Sequence, residues 1–577
     1  MGILQQWRDG FKPAETGYGK DVNYTGDFVG PLGEKPDILG DDEYANTTSV
    51  VQADDGHVEY VPQRSPLKRR LEGRHIQFIA LGGGIGTGLF IGSGHTLNTG
   101  GPAFLVVDFI IVSVMLICMV FALGELAAVL PVSGAFSTYA SRFVDHSWGF
   151  AVGWIYYLQW LVIAPLEFTA SVIIIEYWDT RGIWIMIFIL VLTAINFFGV
   201  RGYAEFEFCA TFLKVITVII LIIVLIVIDC GGSPSGNYLG AHTWHDPGPI
   251  NNGFKGFCSV FTTAAFAFAG TELVGLAAAE TKEPRKVLPK AATQIVFRIV
   301  VFYVLSLFLV SLVVPYDDPA LTGGSSSYDP RQSPFVVAVN IGGLKNLAHF
   351  VNAIIIVSTL SVANSAIYAG SRTLQALAEH GHAPKVFKYV DREGRPLYAV
   401  ILSLAFGALA FVMYAGTDTE ETVFAWLLGI SGLSNIFSWA SICLCHIRFR
   451  AAWRKQGYTL RQLPWKSPLG VYGSIVGLVI NILVIAANVY VSAFPPGEGT
   501  MTPHDRAFNF FENSLSLPVI IVFYVVHKII YRSPFARTEN MDIHTGRREE
   551  VDEELLEQER AEARARPLAK KIFGFVF

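Results

Sequence analysis

Apolar residues in this chain are gathered into twelve blocks, at about 76–97, 103–130, 148–176, 183–199, 208–229, 257–280, 291–315, 347–371, 398–415, 421–446, 470–494 and 507–531. A helix of roughly 20 apolar residues crosses roughly 30 Å of hydrocarbon. Lipid offers no water to open backbone groups, so helices are the natural reading, and the alternating ten-residue strands of a membrane barrel are not seen. A soluble chain of 577 residues would divide into several domains with polar surfaces, whereas this one is 52% hydrophobic and only 16% charged.

The net charge of −5 says little, but the placement of the basic residues says more. With the N-terminus inside, the short inner loops carry seventeen Lys and Arg and the outer loops five. Both termini are therefore expected in the cytoplasm. Residues 1–60 lack the apolar core of a signal peptide. Three regions follow: a polar, Gly-rich N-tail over 1–64 expected to be disordered, a twelve-helix domain over 65–532, and a C-tail over 533–577 with a charged helical stretch at 546–566. Cys230 and Cys258 bracket an outer loop, but six cysteines do not make a disulfide scaffold. Cys443 and Cys445 have only His446 nearby, too few for a metal site.

Two blocks are interrupted. LGGGIGTGLF (81–90) puts five glycines inside the first, and small residues at Ala267–Thr271 interrupt the sixth. Each interrupted block opens a set of five, and five is odd, so the second set enters the bilayer inverted. Matching breaks in inverted halves point to a transporter site at the midplane. The fold class expected is an all-α polytopic membrane protein of twelve transmembrane helices with an inverted five-plus-five repeat, helices 1 and 6 broken and helices 11 and 12 outside the repeat.

Breaking a helix in lipid exposes backbone groups at several kcal/mol each. It is tolerated where protein, water or a ligand completes them. Unwound Gly84, Ile85, Gly86, Thr87 and Gly88 would present N–H groups to an anion, helped by the following half-helix. Unwound Ala267, Ala269 and Gly270, with Phe266, Phe268 and Thr271 around them, would present carbonyls to a cation. A small zwitterion, an α-amino acid, satisfies both breaks at once. Close packing of helices through small residues is the competing account. A nucleotide loop is excluded by the absence of G-K-[ST] and of a strand–helix setting.

IALGGGIGTGLFIGSG (79–94), LGELAAVLPVSGAFSTYASRFVD (123–145), LQWLVIAPLEFTAS (158–171), FAFAGTELVGLAAAE (266–280) with EPRKVLPKA (283–291), LSVANSAIYAGSRTLQALAE (360–379) with GRPL (394–397), HIRFR (446–450) and MDIHTGRREEVD (541–552) resemble the fungal amino-acid permeases of the amino acid–polyamine–organocation superfamily, general amino-acid permeases above all. The resemblance covers about residues 65–560. It implies import of amino acids with protons at the plasma membrane, with H+ as coupled ion and no other cofactor.

Charges inside lipid are functional candidates by default. Lys214 is either a snorkelling residue, six positions from the start of its block, or a cation that exchanges a proton. In the resembling family a lysine here stands where sodium-coupled relatives bind sodium. Glu272 either carries the coupled proton or braces the second break. Glu125 and Glu167 either line the pathway or hold local structure, and Asp108 and Arg298 read as anchors. Ser361, Asn364 and Ser365 are candidates to face the substrate, and Ser431 and Ser434 are weaker ones, since such hydroxyls often bond their own helix. In the tails, Lys12, Lys20 and Lys35 are candidate ubiquitin acceptors, and Leu555–Leu556 among acids suggests trafficking machinery. Two alternatives stay open: a permease narrower in range (proline, basic or aromatic amino acids), and an amino-acid receptor that transports little. No catalytic triad or metal-ligand set suggests an enzyme, and no feature suggests a nucleic-acid partner.

Overall fold

The computed structural model describes residues 44–52, 58–68, 71–175, 178, 183–281, 284–322, 333–415, 417–497, 501–545, 547, 557–558 and 561. Lys12, Lys20, Lys35, Leu555 and Leu556 lie outside the described residues. Seven described helical spans are long and apolar enough to cross a membrane: Gly88–Val129, His146–Ile175, Gly199–Asp229, Val287–Val313, Lys345–Glu379, Thr422–Lys455 and Gly470–Ala493. A bent pair, Pro503–Ser514 with Ser516–Tyr531, meets the same standard jointly, and Trp184–Phe197 and Leu397–Val412 are shorter apolar helices. The chain is a multi-pass membrane protein.

Named in order, the main helices are α1 Gly73–Gly82, α2 Ser93–Val129, α3 Ala135–Phe143, α4 His146–Ile175, α5 Trp184–Phe197, α6 Gly199–Asp229, α7 Gly253–Ala267 and α8 Leu273–Leu276. There follow α9 Pro284–Arg298, α10 Ser306–Val313, α11 Pro334–Ile341, α12 Lys345–Glu379, α13 Leu397–Gly407, α14 Thr417–Lys455, α15 Gly470–Ala493, α16 Pro503–Ser514 and α17 Ser516–Tyr531. The first two apolar blocks run together through α2, which kinks at Gly101 (φ 80°) just before Pro102. A Cβ on Gly101 would sit 2.8 Å from the Asn251 backbone nitrogen, so this turn requires glycine. The kink is pinned by the segment before α7, since Ala103 N donates to Pro249 O and Asn251 N to Gly100 O.

Burial sorts the helices into centre and rim. The most apolar stretch of His146–Ile175 is 94% buried, that of Gly470–Ala493 only 33%. Accordingly α4 packs against α12, α14 and α17, while α1 packs on α6 and α7 on α2. On the rim, Ile219, Ile223 and Ile226 of α6 and Val479, Ile482 and Leu483 of α15 are exposed and face the hydrocarbon.

The N-tail, expected to be disordered, and the polar C-tail each carry a structured stretch. Tyr44–Gln52 and Val58–Lys68 pair as an antiparallel hairpin, in keeping with the Val and Tyr of both strands and the Thr of the first. Residues 533–545 dock on the ends of α3 and α14. Ala536 N donates to Val144 O, Gln456 Nε2 to Met541 O at 2.8 Å, and Met541 and Ile543 are buried. All six cysteines are free, so Cys230 and Cys258 are not joined.

Candidate functional site

The first break follows directly from the glycines. The helical ladder of α1 ends when Gly83 N donates to Ile79 O, and Ile85 N then reaches back only to Gly82 O. Regular turns resume at Thr87, whose backbone is helical, and continue as a wide turn over Gly88–Gly92. The unwound residues are therefore 83–86, and Thr87 and Gly88 belong to the following half-helix rather than to the gap. In the second break α7 ends at Ala267. Residues 268–272 form turns, with Gly270 at φ 98°. Ala269 N bonds Phe266 O at 3.0 Å and Leu273 N bonds Gly270 O at 3.1 Å, three-residue spacings in place of four.

The two breaks cross. A Cβ on Gly270 would lie 2.5 Å from the Gly83 carbonyl oxygen, and one on Gly88 2.3 Å from Ala267 Cα. Only glycine permits this approach, and only glycine accepts the positive φ at 270 without strain. Ile85, Thr87, Phe266, Ala267, Phe268, Ala269 and Thr271 are all buried.

Lys214 on α6 is fully buried and reaches the first break. Its Nζ donates to Gly82 O at 2.8 Å and to Ser361 Oγ of α12 at 2.8 Å. Ser361 in turn donates to Glu207 Oε2 at 2.6 Å, and Glu207 Oε1 lies 3.9 Å from Lys214 Nζ. Lys214 thus joins the end of α1 to α6 and α12, and does not snorkel. Gly82 is the last residue of α1, where a cation meets the negative end of the helix dipole. Glu207 was absent from the sequence reading. It lies seven residues, two helical turns, before Lys214 and so on the same face, but the block was begun at Phe208, whereas α6 begins at Gly199.

The other candidates separate by partner. Thr87 donates to the Glu167 carboxylate, which ties α4 to the first break just after the Pro165 irregularity. Glu272 Oε2 accepts from Gly270 N at 3.1 Å, spanning the second break from within. Among the described residues its Oε1 has no hydrogen bond, with Gln159 of α4 and Trp439 of α14 next to it. Gln159 also donates to Asn435 of α14, giving a buried polar cluster that the sequence did not announce. Asn364 bonds Asn196 of α5 (2.8 Å), and Ser365 lies 3.2 Å from Tyr203 and beside Glu207. Phe268 packs on Tyr303 and Phe109. Ser434 bonds its own helix at Ile430 O, and Ser431 has no hydrogen-bond partner among the described residues.

Charges near the helix ends make separate links. Glu125 is buried between Arg450 and His446 of α14 and accepts from Ser467 N at 2.7 Å, so it fastens the end of α2 to α14. Arg298 donates to Gln77 O of α1 at 2.7 Å. Asp108 is buried with neither oxygen hydrogen-bonded among the described residues. Beyond the second break, Glu280 accepts from Arg372 Nε (2.9 Å) and from Tyr368 (3.2 Å) of α12, and Tyr368 stacks on Tyr203 at 4.2 Å. This buried pair also escaped the sequence reading, because its partners lie 92 residues apart.

A sequence profile of the amino acid permease family matches residues 75–540. The general amino-acid permease GAP1 of Saccharomyces cerevisiae is 50% identical over 533 residues, covering 90% of this chain and 87% of that protein. The amino-acid permease inda1 of Hypocrea atroviridis is 47% identical over 90% of this chain and 91% of its own. The cationic amino acid transporter 1 of Schizosaccharomyces pombe is 47% identical over 85% of this chain and 83% of its own.

Proposed function

The chain belongs to the amino acid permease family, and from that premise we propose that it imports L-amino acids of broad range together with protons, by alternating access, across the plasma membrane. The observation that carries the proposal is the crossing of two helix breaks at Gly83 and Gly270, beside a buried lysine. The twelve apolar blocks are twelve crossings in this reading, ten of them an inverted repeat, with both termini cytoplasmic.

The substrate carboxylate sits at the first break, against the start of the half-helix at Thr87, and the substrate ammonium at carbonyls of the second. Helices α1, α2, α7, α8, α9 and α10, which make up the first, second, sixth and seventh crossings, move against the rest. Lys214, held by Glu207 and Ser361, forms one junction between the two bodies through Gly82 O of α1, and Glu280 with Arg372 forms another. A proton taken up by Glu272 or exchanged at Lys214 biases the movement. Release inside and return of the empty carrier complete the cycle, and no covalent step or other cofactor is needed. The N-tail lysines Lys12, Lys20 and Lys35 serve removal from the surface through ubiquitin.

The test is uptake of labelled amino acid into vesicles holding the purified protein, with an imposed pH gradient and a panel of unlabelled competitors. Accumulation that collapses with the gradient and is inhibited by many amino acids supports the proposal. Inhibition by basic amino acids alone narrows the range. Binding without accumulation makes the protein a receptor.

A further inference from the structure

At the end of the bundle where α3 meets α4, three histidines from distant parts of the chain converge. His146 is the first residue of α4, His382 follows α12, and His527 lies near the end of α17. One ring nitrogen of each lies within 4.8 Å of the other two. Nε2 of His146 and Nε2 of His382 are 3.1 Å apart.

The surroundings hold each ring. Ser147 Oγ lies 2.9 Å from His527 Nδ1, which leaves Nε2 as that ring's open nitrogen. Phe150 and Tyr531 stack on His527 with centroids at 4.4 and 4.3 Å. Trp154 Nε1 donates to the His382 carbonyl at 3.0 Å, fixing the loop. His382 and His527 are buried, whereas His146 is exposed. The three imidazoles also pack on one another, with ring centroids 4.5, 5.5 and 5.7 Å apart, and share one hydrogen-bond contact.

We propose that His146, His382 and His527 form a binding site for a divalent transition-metal ion of the zinc class. Two nitrogens on a tetrahedral zinc, with bonds of about 2.0–2.1 Å, lie about 3.3 Å apart, close to the spacing of the first pair. An all-imidazole set suits zinc, cobalt, nickel or copper, and not the oxygen-seeking magnesium or calcium. Asp145 is adjacent, but its carboxylate is held by Lys528, Tyr524 and the Trp148 N–H. His146, the exposed member, opens the cluster to solvent. Ser147 orients a ligand from behind, as outer partners do in metal sites. The bound ion fastens α17 to α4 and to the end of α12.

The test uses the full-length chain without a histidine tag, in lipid nanodiscs, stripped by chelator and titrated with Co2+, with Mg2+ as control. The expected result is one equivalent of Co2+ with ligand-field absorption in the visible, displaced by Zn2+ and absent with Mg2+. His382→Gln and His527→Gln remove it, and Ser147→Ala weakens binding about 10-fold. His146→Gln, at an exposed position, removes the absorption without burdening the fold and serves as the deciding variant if the buried ones misfold. Absence of saturable absorption in the wild type, or equal binding by His146→Gln, overturns the proposal.

Discussion

The ammonium of Lys214 lies 2.8 Å from the carbonyl oxygen of Gly82, the last residue of α1. A charge that lipid would expel is thereby spent on the end of a broken helix, with Ser361 as its second acceptor and Glu207 as its counter-charge. The contact couples the break to α6 and α12, so a change at Lys214 is felt where the substrate carboxylate is proposed to sit.

Lys214→Arg keeps a charge but cannot give it up. The variant is expected to fold and reach the membrane, yet to lose about 10- to 100-fold in proton-driven uptake, the equivalent of one charge-assisted hydrogen bond of about 1.5–3 kcal/mol. Lys214→Met leaves Glu207 buried without its counter-charge and is expected to lower the melting temperature as well. Uptake and thermal unfolding of the purified variants check both; full proton-driven uptake by the arginine variant contradicts the assignment.

Gly270→Ala drives a methyl to 2.5 Å from Gly83 O at a positive φ. Gly381→Ala has the same kind of backbone (φ 75°) with open space around the added atom. The second change is expected to cost about 1–2 kcal/mol of local strain and leave uptake intact. The first is expected to abolish uptake while the protein still reaches the membrane. Equal uptake by the two variants argues that the crossing is not needed.

Removing one partner of the buried Glu280–Arg372 pair strands the other. Glu280→Gln and Arg372→Gln are each expected to destabilise by about 3–5 kcal/mol, and the double variant by less than the sum. Denaturation of all four proteins in one detergent gives the coupling; strict additivity removes the pair from the account.

Asp145 sits between α3 and α4, outside the spans. Burial raises its carboxyl, but Lys528, the Trp148 N–H and Tyr524 together hold it below the usual range. A depressed carboxyl contributes stability above its unfolded value, about 3.9, and loses it only as pH falls through the lower folded value. Asp145→Asn is therefore expected to lower the melting temperature by a constant amount from pH 5 to 8. The gap from the wild type should shrink below about pH 4. A gap that instead changed between pH 5 and 8 would assign the effect to another group.

The seven long spans were legible because hydropathy is a local property that lipid enforces. The breaks were legible to within two residues, since glycine runs mark where a helix weakens but not which turn opens. Thr87 illustrates this: it follows four residues of unwound chain yet has helical backbone. What escaped were pairings across long separations. Glu280 with Arg372, and Gln159 with Asn435, depend on how α12 and α14 lie against their neighbours, and one sequence carries no signal for that. Met541 and Ile543 looked like members of a polar tail, but two apolar side chains with a groove to enter suffice to dock it.

The central claim is that a molecule with both a carboxylate and an ammonium completes the two breaks. The most direct measurement is competition for a labelled amino acid by three analogues: the carboxyl methyl ester, the N-acetyl derivative, and one carrying both changes. Loss of either group is predicted to weaken competition by about 10- to 100-fold, and loss of both to abolish it. Equal competition by the doubly blocked analogue would contradict the account.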